Sequence, residues 1–196
     1  MNWNSQNKNE ISKLLNLLLN SETPEYLQLI CIDHLIWAST ERNDEGKKMK
    51  YFGQPLWSLK AIKLFKDNYL NKTINNNNGL VHEHAIPKKI IVQEILLLKK
   101  ATEKDIDTIL QKYSQAVIIT KEEDDKINKS GFKQKMPYDT ISTIVDRYVA
   151  AFGFGSSFRI YNLEHYTINN ANDMYEIIKN WEAFENKTPL FQPGSL

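Results

Sequence analysis

The segment Val81-His82-Glu83-His84-Ala85-Ile86-Pro87 places two of the chain's 4 histidines around a glutamate, just before a proline. Imidazole and carboxylate are ligand types that divalent cations take from proteins. If the segment is extended, His82 and His84 share one face and Glu83 takes the other. If it is a tight turn into a helix, all three converge. The same spacing also suits polar side chains that cap or cross a strand end. Further on, Ala116-Val117-Ile118-Ile119 reads as a strand, Thr120 as a cap, and Lys121-Glu122-Glu123-Asp124 as the first turn of a helix. Thr120 and Glu123 have capping-box spacing, and acidic residues there complement the helix dipole.

Glu83-His84-Ala85-Ile86-Pro87 resembles the first signature of HNH-type nucleases, the ββα-metal group. In that signature an acidic residue or His precedes a His, which is followed by two residues and a proline. The resemblance spans residues 80–128. It implies that Glu83 binds a metal and that His84 is the general base, with His82 as a second ligand or a phosphate contact. Asp124 sits where such a nuclease usually carries His, and a carboxylate there suits Mg²⁺ or Mn²⁺. The signature's middle Asn has no counterpart, since no Asn lies between Gly79 and Ile127. Two helices also separate the halves of the motif. The implied activity is metal-dependent phosphodiester hydrolysis of nucleic acid, DNA before RNA. The alternative is a non-catalytic bacterial binding or adaptor protein, such as a defence or toxin-neutralising partner.

Lys88, Lys89, Lys126, Lys129, Lys133 and Lys135 lie near this motif in sequence and are candidate phosphate contacts. They equally suit a solvated surface. Arg147 and Arg159 stand out because the chain has 22 Lys but only 3 Arg. Arg147 is a candidate clamp for a phosphate or a carboxylate, with Asp139 and Asp146 as nearby acids.

The elements that must position these residues follow from apolar spacing. The first ten residues are polar and are expected to fray, and a helix is predicted from Ser12 to Asn20. A second, from Pro24 to about Thr40, is apolar enough to be buried on most sides, with Thr23 as its cap. Gln54 to Leu70 has helical periodicity. Asn75 to Gly79 is a turn or loop, and Leu80 to Ile86 alternates like a strand. Helices are predicted over Lys88–Lys100 and Glu103–Tyr113, the latter capped by Thr102. Gly131 to Pro137 is a loop. Tyr138–Ala151 and Ala171–Phe184 read as helices, and Phe158–Tyr161 as a short strand. The expected fold is a single α+β domain over residues 1–196, mostly helical, with two or three short central strands.

The 196 residues carry 25 Lys and Arg against 24 Asp and Glu, for a net charge of +1. That excludes a highly basic nucleic-acid coat and an acidic disordered chain. The counts of 22 Lys, 20 Asn and 21 Ile are those AT-rich coding favours. One cysteine, Cys31, excludes an intrachain disulfide. Its apolar surroundings predict a small buried hydrophobe. No signal-peptide pattern or membrane-length apolar run is evident, so a cytoplasmic setting is expected.

Overall fold

The computed structural model describes residues 5–71, 79–98, 100–138, 143–153, 156–166, 168 and 170–179. Its elements are α1 (Ser5–Leu19), α2 (Glu25–Glu41), β1 (Leu56–Ser58), α3 (Leu59–Leu70), β2 (Leu80–His84) and α4 (Lys88–Leu96). They continue with α5 (Glu103–Tyr113), β3 (Ala116–Thr120), α6 (Lys121–Lys129), α7 (Asp146–Phe152), β4 (Ile160–Asn162) and α8 (Ala171–Ile178). This is an α+β domain, mostly helical, around one small mixed sheet. Four strands stand among the described residues, one more than the most expected.

The strand order is β2-β3-β1-β4, with β1 parallel to β3 and the outer strands antiparallel to their neighbours. Register sorts the side chains. Trp57, Ile118 and Tyr161 pair across the sheet and join Ile62 and Phe65 of α3 and Met174 of α8 in one apolar cluster. Leu56, Val117, Ile119 and Ile160 belong to the opposite face, covered by Ile127 of α6 and Tyr148 and Ala151 of α7. A third cluster lies beside the sheet. It joins Leu15 of α1, Ile32 and Ile36 of α2, Ile91 and Ile95 of α4, and Ile106 and Leu110 of α5.

Several expectations are met by a visible cause. Thr102 caps α5 and Thr120 caps α6, each through a complete capping box with Asp105 or Glu123. Gly79, just before β2, has φ +81°, and a Cβ there would lie 3.0 Å from the Leu64 side chain, so this position needs glycine.

Other expectations are corrected. Residues 5–10 are helical, held by Asn7, whose Nδ2 donates to the carbonyls of Ala38 (3.1 Å) and Arg42 (3.2 Å). Pro24, not Thr23, takes the cap position of α2. That helix buries only one stripe, Ile32, Ile36, Ser39 and Thr40, while Tyr26, Leu27, Leu29, Ile30 and Cys31 are exposed. Its apolar density misled because the core lies on one side of it. The span from Gln54 divides into strand β1 and helix α3. The sheet claims Leu56-Trp57-Ser58, and the Ser58 hydroxyl then caps α3 by accepting from Ala61 N at 3.1 Å. Helix α4 ends at Leu96. Helix α7 begins only at Asp146, whose carboxylate accepts from the backbone and hydroxyl of Thr143. The expected Asn75–Asn78 turn, the start of the Tyr138 helix at residues 139–142 and the end of the last helix from residue 180 lie outside the described residues.

Ile118→Ala, at a fully buried site in central strand β3, should lower the unfolding free energy by about 2–5 kcal/mol in urea titration. Ile30→Ala, on the exposed stripe of α2, should change it by only about 0.5 kcal/mol.

Candidate functional site

Strand β2 is an edge strand, and its alternation divides the motif. Within β2, His82 and His84 sit opposite Ile118 and Ala116, so both rings lie on the α3 side of the sheet. Glu83 sits opposite Val117 and faces α6 and α7. Ala85 N donates to Gln115 O (2.9 Å) and Lys121 N to Gly79 O (2.8 Å). Ladder alternation therefore aims the main-chain groups of Leu80, His82 and His84 away from β3. Tyr51 Oη covers one of them, donating to Leu80 O at 3.2 Å.

On the histidine side, Trp37 of α2 stacks on His82, with centroids 5.7 Å apart, and meets His84 edge-on at 4.6 Å. His84 Nε2 lies 3.1 Å from Thr40 Oγ1, also on α2. Burial lowers the His82 pKa to about 4. Burial, reinforced by the charges of His82 and Lys88, lowers that of His84 to about 3. Both rings are thus neutral imidazoles at neutral pH.

On the carboxylate side, Glu83 is ion-paired with Arg147 of α7, whose side chain has no exposed surface. Burial pushes the Glu83 pKa up, the Arg147 charge pulls it down, and the charge of Asp124 adds to the rise. Asp124 accepts from Lys121 Nζ (2.8 Å) and from Asn128 Nδ2 (3.1 Å), so the first turns of α6 present it towards β2. Neighbouring Glu123 is a structural carboxylate, accepting from Ser58 Oγ (2.7 Å) and Thr120 N (2.8 Å).

Because β2 is an edge, both of its faces open onto one cleft of about 820 Å³ between α2, α4 and α6. Glu83, His84 and Asp124 line it, with Lys88, Lys89 and Lys133. His82 and Lys135 do not. His82 is held inside by Trp37, and Arg147 is a buried partner of Glu83 rather than an accessible phosphate contact. Asp33, His34 and Trp37 complete the α2 wall, and Lys88 Nζ sits 2.6 Å from Asp33 and 5.1 Å from the centre of the Trp37 ring. Sequence reading passed over these three. The signal was the Asp33–Trp37 spacing, one helical turn on a helix whose other face is core.

Glu83 and Asp124, which line the one cleft, are carboxylates of the kind that Mg²⁺ or Mn²⁺ takes from proteins. No cluster of three His, Cys, Asp or Glu ligands that could hold a metal ion occurs among the described residues. No helix among the described residues is long and apolar enough to cross a membrane. In comparisons with known proteins, no family model, no curated protein and no solved structure matches this chain.

Arg147→Met should destabilise the fold by about 3–5 kcal/mol in urea titration, because it strands a buried carboxylate. The two histidines set a pH dependence. Their folded pKa values, about 4 and about 3, lie below the unfolded value of 6.5, so the unfolded chain binds protons more readily. The stability they contribute is full above about pH 6.5 and is lost as pH falls towards 4 and then 3. The slope reaches up to about 1.4 kcal/mol per pH unit for each ring. Melting temperature measured from pH 7 to 4 should fall accordingly, and His82→Gln should flatten the fall.

Proposed function

We propose that this cleft binds a nucleic-acid backbone and hydrolyses phosphodiesters with a divalent cation, in an HNH-like arrangement. One observation carries the reading: Glu83, His84 and Asp124 line the same cleft as Lys88, Lys89 and Lys133, although the chain between them is long. The local architecture supports it too, since antiparallel β2 and β3 are followed by α6 packed against them. Glu83 and Asp124 would hold Mg²⁺ or Mn²⁺, which supplies charge stabilisation at the phosphate and the leaving oxygen.

Exposed Lys89 and Lys133 would meet flanking phosphates, with DNA the favoured polymer. Neutral His84 would take the proton of the attacking water, once Thr40 gives up its contact with Nε2.

A second reading draws on other observations. Glu83 is closed by Arg147 and His84 by Thr40, while β2, the outer strand of the sheet among the described residues, forms part of the cleft wall. Such an edge can accept an extended segment of another protein, which suits a non-catalytic adaptor.

Supercoiled plasmid incubated with Mg²⁺ or Mn²⁺ tests the choice. The nuclease reading expects nicking by the wild type and a loss of about 100-fold or more in His84→Ala and in Asp124→Asn, each shown to be folded. Equal activity in wild type and His84→Ala removes His84 as base. No cleavage by any of them favours the adaptor.

A further inference from the structure

A second site lies away from the cleft, among α1, α2, α5 and the sheet. Lys8 of α1 is 5% exposed, and its side chain lines a partly open cavity of about 90 Å³. Among the described residues no carboxylate lies within 4 Å of its amine. The cavity wall is mixed, with Gln54, Gln111, Asn162 and Glu164 beside Pro55, Leu56 and Ala116. Several of the wall's donors are already engaged: Gln54 Nε2 donates to Thr40 O and Met49 O, and Gln111 Nε2 to Asp107 Oδ1. The polar side chains of Gln54, Gln111, Asn162 and Glu164 and the lysine share this cavity. Its volume equals that of about three waters.

A lysine buried without an ion-pair partner is poorly stabilised as an ammonium, and desolvated lysines of this kind are the nucleophilic ones. We propose that the Lys8 cavity is a carbonyl-trapping site that takes small neutral aldehydes as imines. The amine lone pair forms a bond to the carbonyl carbon and gives a carbinolamine. The carbon–oxygen bond then breaks, and the oxygen leaves as water with the two amine hydrogens, so that a C=N bond remains.

The cavity wall suits the carbinolamine hydroxyl, and the carboxylates near Lys8 disfavour an anionic carbonyl compound. Burial lowers the Lys8 pKa from 10.5 to about 8, while the charges of Asp107 on α5 and Glu164 beyond β4 partly offset it. From the other packed elements the neighbours are Thr40, Gln54 and Gln115, which do not titrate. At pH 7 the neutral fraction is about 300-fold that of an ordinary lysine, a margin from which burial subtracts.

The test is reductive labelling of the full-length chain with glycolaldehyde and cyanoborohydride at pH 7, followed by peptide mass spectrometry. Lys8 should be labelled about tenfold faster than exposed Lys13, with a rate midpoint near pH 8. The advantage should vanish in urea and shrink with glyoxylate, which is of similar size but anionic. Glu164→Gln should move the midpoint down, since it removes a charge that favours the ammonium. Labelling of Lys8 no faster than of Lys13 in the folded chain, or a midpoint that Glu164→Gln leaves in place, would overturn the proposal.

Discussion

The arrangement of β2 and its surroundings depends on the ion pair between Arg147 and Glu83. A guanidinium with no exposed surface is costly to bury alone, so the fold must supply an anion or lose the packing around it. Glu83 is that anion. The contact ties α7 to the edge strand across 64 residues of chain and closes α7 over the apolar cluster of Leu56, Val117 and Ile119. Glu83 is therefore a structural residue as well as a candidate ligand, and loss of function on its removal says little about chemistry. Asp124 is separable. Its Lys121 partner is solvent-exposed and free to swing away, whereas Arg147 cannot leave Glu83 without exposing a hole in the core.

The second constraint is the two-residue period of a strand. It sends His82 and His84 to the Trp37 side and Glu83 to the Arg147 side, and in the middle of a sheet that would part them for good. At an edge it does not. Among the described residues β2 has no outer strand neighbour, and groups from its opposite faces line one cleft. His84 lies at the end of β2, where the strand runs out towards Pro87 and α4, and reaches the cleft. His82, one period further in, does not. Position along an edge strand thus decides which of two identical side chains is available.

This distinction marks what was legible in the sequence. The strand over 80–84, the capping boxes at Thr102 and Thr120 and the helices they start were readable because each is fixed by neighbours within a few residues. Strand β1 was not, since Gln54 to Leu70 reads as one helix and Leu56-Trp57-Ser58 is a strand only by virtue of pairing with β3 and β4. The apolar richness of α2 looked like burial on most sides. It proved to be one core stripe and one exposed stripe, a division set by where α1, α4 and α5 lie. At the candidate site, the types of Glu83, His84 and Asp124 could be read, but not that Arg147 would pair with Glu83. That pairing is made by the fold, from residues far apart in the chain.

The two buried cations show how physical demand cuts across a composition skewed to lysine. Arg147 is buried beside a carboxylate that compensates its charge. Lys8 lines a small mixed cavity with no carboxylate in ion-pairing range among the described residues, and burial there lowers its pKa to about 8. Exchanging the two residue types would fail at both sites. Arginine at position 8 would carry an unpaired permanent charge, and lysine at 147 would replace a planar fork with a point charge opposite Glu83. The skew towards lysine runs through the exposed helices, where either cation would serve. At these two positions the local dielectric and the available partners select between them.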